Sequence, residues 1–498
     1  MDSYHFLAFD LGAESGRAVL GTLEGERLSL RQVSRFPNAP VLYLGHLHWN
    51  LLGLFEEMKR AVKSCVDSMA SGLQSLAVDT WGVDFGLLGR DGSLLGMPYS
   101  YRDQRTKGAM EEFLKLVPRE KIYELTGIQF MPFNTIFQLF AMAREKSPLL
   151  KSASDLLFMP DLCTYLFSGE RATEFTIATT SQLYNPRRRE WDLELLEAVG
   201  IPKKIMREVI PPGTVVGSAL PAVARETGIG EIPVVATASH DTGAAVAAAP
   251  ALGEDWAYIS SGTWSLVGIE AGSPIISGSS LEHNFTNEGG MEGTWRFLKN
   301  VTGLWLIQQC RKKWAQEEIL SYDQLMELAA FAPAFRSLID PDDPDFLNPP
   351  DMPAAIELRC RITRQPIPRT PGEFVRSILE SLSLKYRAVL EELRGFAPRP
   401  PARIHMIGGG SRNRLLCQFA ADATGLPVIA GPAEATAVGN IMGQARALGY
   451  VTGLDQIRRI VRNSTEMDTY EPRENDAWDL AYERFQDIIN RARRGIPV

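Results

Sequence analysis

Two glycine-rich turns and a short Ser-His-Asp-Thr segment carry the residues best suited to chemistry in this sequence. The apolar run Phe6-Leu7-Ala8-Phe9 ends in Asp10 and leads into Leu11-Gly12-Ala13-Glu14-Ser15-Gly16-Arg17. A carboxylate at the end of a buried strand can hold a water on Mg²⁺, or it can cap the turn. Arg17 can neutralise charge on a transferring phosphoryl group, or form a surface ion pair of little energetic weight. The pattern is written a second time. Trp256-Ala257-Tyr258-Ile259 leads into Ser260-Ser261-Gly262-Thr263-Trp264-Ser265, followed by Leu266-Val267-Gly268-Ile269. Each copy reads as strand, tight polar turn, strand. Turns rich in Gly, Ser and Thr present backbone N–H groups and hydroxyls that suit phosphate oxygens. Two of them suggest a clamp on a nucleotide.

Asp241 lies in Ser239-His240-Asp241-Thr242-Gly243, between the apolar stretch Pro233–Ala238 and the alanine-rich run Ala244–Ala249. Open α/β sheets place ligand sites at the C-terminal ends of such strands, and a helix N-terminus favours an anion. A carboxylate there can accept the proton of a substrate hydroxyl as that oxygen attacks a phosphoryl group, an effect of about 10²–10⁴-fold. Asp and Thr are also ordinary helix caps, and a capping position would fix the carboxylate. His240 reads either as a donor to a substrate hydroxyl or as a satisfied turn histidine. Gly408-Gly409-Gly410 permits close backbone approach, as an adenine or ribose site needs, and equally a tight strand-to-helix connection. Trp81 and Trp264 flank turns, where they can line a sugar or simply pack. The acidic stretch Asp340–Asp351 reads as a solvated loop.

These residues need elements to position them. The apolar spacing of Leu54, Phe55, Met58, Ala61, Val62 and Cys65 predicts a helix over Leu52–Met69. Strands are expected at Ser75–Asp79 and Val83–Leu88, joined by Thr80-Trp81-Gly82, and the stretch from Lys107 to Leu166 reads mostly as helix. Past the second turn come a helix from Gly303, a long amphipathic helix over Gly372–Leu393, a strand over Ile404–Ile407, and helices over Ala433–Leu448 and Ala477–Ala492.

At 498 residues the chain exceeds one core, so two domains are expected. The boundary falls near Ala248–Asp255, giving domains over 1–250 and 251–498. A net charge of −8 argues against a nucleic-acid binder. The five cysteines, Cys65, Cys163, Cys310, Cys360 and Cys417, include no CxxC pair. Neither a zinc site nor a disulfide framework is suggested. The N-terminus reads as a first strand and not as a signal peptide, and no apolar run approaches the ~18–20 residues that span a bilayer. A cytoplasmic protein with small-molecule partners, and no nucleic acid or membrane partner, is the expectation.

The ordered motifs together resemble the FGGY carbohydrate kinases. They are DLGAESGR at 10–17, DTWGVDF at 79–85, YRDQRT at 101–106, GIQFMPFNT at 127–135, MPD at 159–161, SHDT at 239–242, SSGTWSL at 260–266, NEGG at 287–290, LKNVTGLWLIQ at 298–308, GGGSRN at 408–413 and AGPAEATAVGNI at 430–441. The resemblance implies two ribonuclease-H-like (actin-like ATPase) α/β domains with a nucleotide and sugar cleft between them. It implies transfer of the ATP γ-phosphoryl group to the 1-hydroxyl of L-rhamnulose with Mg²⁺. Carried over by position, Asp241 matches the proton acceptor. Ala13, Glu14, Ser15, Gly16 and Arg17 match the first ATP turn, Thr263 the second, and Gln308 and Gly409 further ATP contacts. Gly82, His240, Thr242 and Asn300 match sugar contacts, and Asp10 matches the position near Mg²⁺. Glu14 departs from the pattern, since many relatives carry a small hydroxyl residue there. Other readings are a related kinase for another ketose such as L-fuculose, or a non-enzymatic actin-like ATPase, which would need no positioned base.

Overall fold

A computed structural model of the chain describes residues 2–69, 72–473 and 476–493. It contains two compact units. The first comprises 1–250 together with 270–297 and 435–465. The second comprises 251–269, 298–434 and 466–498. The two segments that return to the first unit come from the second half of the chain. Their reason is packing: the helix Ala435–Ala447 lies against the first unit's central strands and against the helix Asp241–Ala247.

In the first unit, β1 (Ser3–Leu11), β2 (Ser15–Glu24) and β3 (Arg27–Pro37) form an antiparallel meander. On the other side of β1 lie β4 (Ser75–Thr80), β6 (Pro233–Ala236) and β5 (Thr214–Ser218), so the order is β5-β6-β4-β1-β2-β3. β1 and β4 are parallel, as are β4 and β6, whereas β5 runs antiparallel to β6. Parallel strands covered on both faces read as continuous apolar runs. Leu7, Phe9 and Leu11 join the cluster that includes Leu54, Met58 and Val62 of the helix Leu51–Asp67. That helix matches the expected apolar spacing. Its N-cap is Asn50, whose side chain accepts from the Gly53 N–H. Within the stretch expected to be mostly helical, Asp155–Phe158 is instead a strand paired with Phe85–Leu88. It is a four-residue buried run, the length at which periodicity does not separate strand from helix.

In the second sheet, whose residues 270–271 and 295–297 count with the first unit, β7 (Trp256–Ser261) is antiparallel to β8 (Trp264–Ala271), and β9 (Trp295–Thr302) lies next to β8. β10 (Arg403–Ile407) runs parallel to β7, β11 (Val428–Ala430) parallel to β10, and β12 (Asp468–Tyr470) antiparallel to β11. Thr286–Gly289 adds a seventh strand beyond β9, and the remaining order β9-β8-β7-β10-β11-β12 repeats that of the first unit, with the same strand polarity from the hairpin to the outer strand. Mixed α/β units with duplicated sheets are the expected fold class. The acidic loop is not merely solvated: Asp340 and Asp342 both pair with Lys385, a buried lysine of the helix Pro371–Leu393. Asp342 also accepts from the Thr302 N–H. Among the described residues, no helix is long and apolar enough to cross a membrane.

Candidate functional site

The first turn closes with a hydrogen bond from the Gly12 N–H to the Ser15 carbonyl at 3.0 Å. Asn38 braces it twice, donating its N–H to the Glu14 carbonyl and its side-chain amide to the Gly12 carbonyl. A side chain at Gly16 would collide with the Phe36 ring, so this position must stay small. The N–H groups of Ala13 and Glu14 have no hydrogen-bond partner among the described residues, and the Glu14 residue is exposed. Asp10 and Arg17 face each other across β1 and β2. Arg17 donates Nε and Nη2 to Asp10 Oδ2 at 2.8 and 2.6 Å. Both readings of Arg17 thus meet in one geometry: it is paired, and its partner is the candidate metal-side carboxylate.

Asp79 is the register neighbour of Asp10 on β4. It is fully buried, accepts from Asn440 at 2.6 Å through Oδ2, and leaves Oδ1 without a hydrogen-bond partner. Burial, and then the charge of Asp10, hold its carboxyl well above the usual carboxylate range. Asp241 also adds to that repulsion.

Asp241 opens the helix Asp241–Ala247. Its Oδ1 accepts from the Thr242 N–H at 2.5 Å and the Thr242 hydroxyl at 3.1 Å. The carboxylate is thereby anchored by one oxygen. The segment before it is anchored by its backbone. The Thr80 N–H donates to the Ser239 carbonyl, the Ser239 N–H to Glu174, and the His240 N–H to the Thr176 hydroxyl. Glu174 is buried and accepts also from the Thr176 and Ile177 N–H groups and the Thr176 hydroxyl. Burial pushes its carboxyl up to about 7 despite these donors. The His240 imidazole is held separately, by Arg296 at Nδ1.

Gly82 faces Thr180, whose side chain would sit 3.3 Å from an added Cβ. The next residue, Val83, has φ 68°, an outlier for a β-branched residue that surrounding structure must enforce. Its carbonyl accepts from the Thr135 hydroxyl and its N–H donates to Thr180. Trp81 is buried in the core beside Trp49, so packing is its role here. Both indoles donate to Asp84 Oδ2, at 3.0 and 2.6 Å, together with the Tyr101 N–H; Gln138 donates to Oδ1. Burial lifts Asp84 to about 6.

The second turn has no charged residue. The Gly262 N–H donates to the Trp264 carbonyl at 2.8 Å. The carbonyls of Gly262 and Thr263 accept from Leu304, Gly303 and Trp305, which begin the helix Trp305–Trp314. A Cβ on Gly303 would sit 2.6 Å from the Trp264 carbonyl carbon, which explains the glycine in LKNVTGLW. Gly408 adopts φ +81° against the Ser261 backbone, and a side chain on Gly410 would collide with the Ser261 hydroxyl. Gly409 is exposed, with open space around it. Gln308 Oε1 is buried without a hydrogen-bond partner, and Asn300 is half-buried on β9.

Asp10, Arg17, Gly82, His240, Asp241 and Thr242 belong to the first unit, where Asp10 meets Arg17 and His240 and Thr242 flank Asp241, and Thr263, Gln308, Asn300 and Gly409 belong to the second. Asp79, Asp84, Glu174, Glu288 and Arg296 were not singled out from the sequence. The first two and Glu288 lie inside the quoted motifs. Glu174 and Arg296 lie outside them. The only signal for Arg296 is a cation between Trp295 and Phe297 in a strand.

The FGGY family of carbohydrate kinases matches the chain twice, its N-terminal domain over residues 5–248 and its C-terminal domain over 257–448. A rhamnulokinase of Bacteroides thetaiotaomicron is 47% identical over 485 residues, covering 97% of this chain and 99% of that protein. A rhamnulokinase of Pectobacterium carotovorum is 41% identical, covering 97% and 96%. Among solved structures, a gluconate kinase of Lactobacillus acidophilus superposes with a TM-score of 0.80 at 16% identity, covering 99% of this chain and 98% of that one. A xylulose kinase of the same organism gives 0.79 at 17% identity, with the same coverage.

Proposed function

The chain belongs to the FGGY family of carbohydrate kinases, and on that premise we propose that it transfers the γ-phosphoryl group of ATP to the 1-hydroxyl of L-rhamnulose, giving L-rhamnulose 1-phosphate and ADP. The choice of sugar follows the rhamnulokinases that match the chain over nearly its whole length. The observation that carries the chemistry is the Asp241 carboxylate, fixed through Oδ1 at a helix N-terminus. Oδ2 remains to accept the hydroxyl proton. As the sugar oxygen bonds to the γ-phosphorus, the bond from that phosphorus to the β,γ-bridging oxygen breaks, and ADP leaves with the electron pair. Such transfers need positioning and charge stabilisation more than covalent help from the protein. Gly82, His240, Thr242 and Asn300 would position the sugar. The unengaged N–H groups of Ala13 and Glu14, with Ser15, Gly16, Arg17 and Thr263, would take phosphate oxygens, and Gln308 and Gly409 the rest of the nucleotide.

The residues present suit Mg²⁺. This ion keeps several waters and takes only one or two carboxylates, and Asp79, the register neighbour of Asp10, has an Oδ1 with no hydrogen-bond partner among the described residues. Asp10, with Asp79 behind it, would hold the ion. When bound, it would offset negative charge on the phosphates.

A coupled ADP-release assay with L-rhamnulose, L-fuculose and D-xylulose tests the reading. Discrimination lies in kcat/KM, which should be highest for L-rhamnulose. Asp241→Asn should lower kcat by about 10²–10⁴-fold while ATP still binds. An equal or higher kcat/KM with L-fuculose would overturn the sugar assignment. ADP release indifferent to any sugar would point to an actin-like ATPase.

A further inference from the structure

His240 is gripped on one side of its ring by groups that no sequence motif links to it. Arg296, on β9, has no solvent exposure. Its Nε donates to the Gly289 carbonyl at 2.8 Å, its Nη2 lies 2.9 Å from His240 Nδ1, and its Nη1 lies 3.1 Å from Glu288 Oε2. Nε and Nη2 are thus each aimed at a different neighbour, while Nη1 faces Glu288 as a charge partner without an aligned hydrogen bond. Glu288 Oε2 is itself 3.4 Å from His240 Nδ1, and Asp241 Oδ1 is 3.4 Å from His240 Nε2. Among the described residues, Arg296, Glu288 and Asp241 are the charged groups that face the ring.

A guanidinium has five N–H donors and no acceptor. At 2.9 Å from Nη2, the histidine Nδ1 must therefore accept, and the ring proton resides on Nε2. Asp241 Oδ1, at 3.4 Å from Nε2, lies beyond the N–H···O range. We propose that Arg296 is a positioning residue: it fixes His240 as the Nε2–H tautomer, so that this single ring proton is presented to an oxygen of the sugar substrate beside Asp241. The proposal rests on the sugar-kinase reading above and adds to it the residue that sets what His240 can recognise. With the proton on Nε2, the imidazole takes a hydroxyl or carbonyl oxygen as acceptor. With the proton on Nδ1, Nε2 would instead require a donor. Glu288 supplies the counter-charge that a buried arginine needs. A lysine at 296 would keep that charge but lacks the planar fork that serves Gly289, Glu288 and His240 together. Glu288 would then stand as an acceptor for a proton on Nδ1.

The tautomer is read directly by ¹⁵N spectra of protein labelled at its six histidines, with the His240 signals assigned by their loss in His240→Gln. In the wild-type protein, Nδ1 should appear as a hydrogen-bonded acceptor and Nε2 as protonated. Arg296→Lys should give a mixture of tautomers. It should raise KM for L-rhamnulose about tenfold, the scale of one lost hydrogen bond, with KM for ATP changed less than about twofold. A second pair of variants does not depend on that substitution folding. A glutamine amide reaches the Nε2 position and an asparagine amide the Nδ1 position, so His240→Gln should retain more kcat/KM than His240→Asn. A wild-type proton on Nδ1 overturns the proposal. So does a tautomer shift in Arg296→Lys with unchanged KM for the sugar, or an Asn variant that outperforms the Gln variant. If the wild-type protein phosphorylated no ketose, the proposed function would fall while the spectrum still decided the tautomer.

Discussion

The two hairpin turns share a scaffold and differ in what surrounds it. Both join antiparallel strands, both close with a glycine N–H bonded to a carbonyl a few residues on, and both start from a strand that pairs in parallel with the next strand of its sheet. Around the first lie Asp10, Arg17 and Asp79, and its length is fixed by Asn38. The second turn, Ser260–Ser265, itself holds no charged residue. Its shape is set by glycines: Gly303 and Gly410 leave no room for a side chain. A duplicated hairpin therefore supplies a place for an anion, while the residues packed beside it decide whether that place handles moving charge or only fits a shape. Changes near the first turn should act on turnover, and changes near the second on nucleotide affinity.

Asp10→Asn tests the first half of that division most severely. Removing a preorganised charge from such a site costs about 10²–10³-fold in kcat, and KM for ATP should move far less in steady-state assays. A rise in KM for ATP as large as the fall in kcat would erase the distinction. Gly410→Val is the counterpart. The added side chain displaces Ser261, and KM for ATP should rise about tenfold or more while kcat for bound substrate changes little, since lost uniform binding appears in KM. Gly303→Ala should cost about 1–3 kcal/mol of stability by overpacking, read as a lowered midpoint in thermal unfolding.

A smaller effect concerns the carboxylates that brace the first unit. Burial lifts Glu174 to about 7 and Asp84 to about 6. Their folded values lie above their unfolded ones, so between the two the folded state binds more protons. Stability then falls as pH rises from the ordinary carboxylate range to about 7, and flattens above it. Glu174→Gln should remove part of that slope in urea unfolding measured from pH 5 to 8. Least of all, Glu14→Ser should leave kcat and KM within about twofold, because the proposed contact of this exposed residue is its backbone N–H, which the substitution keeps.

Much of this was legible in the sequence. The hairpins showed as apolar runs broken by glycine, and the helix Leu51–Asp67 as periodic apolar residues. The segment that carries Asp241 showed as an apolar strand followed by a cap. What was not legible depends on distant contacts. Glu174 reads locally as an ordinary residue after Thr173, yet it receives the Ser239 N–H. Arg296 reads as one cation in a strand, and its role exists only once His240 is beside it. Lys385 reads as part of an amphipathic helix, and only folding shows that it ties down Asp340 and Asp342. Local pattern carries no signal for pairings of this kind, because sequence separation does not enter the period of a strand or helix.

Gly439 has a consequence for how the protein is made. A side chain there would run into the Ala244 carbonyl, so the helix Ala435–Ala447 lies directly on the helix that Asp241 begins. Domains generally fold as units, N-terminal first, while the chain is still being synthesised. Here the nascent chain already contains Asp10, His240 and Asp241 when residue 250 is added, but the helix that backs them has yet to be translated. The first unit is begun first and finished late, and a chain stopped at residue 250 would carry the proposed base without the surface that holds it in place.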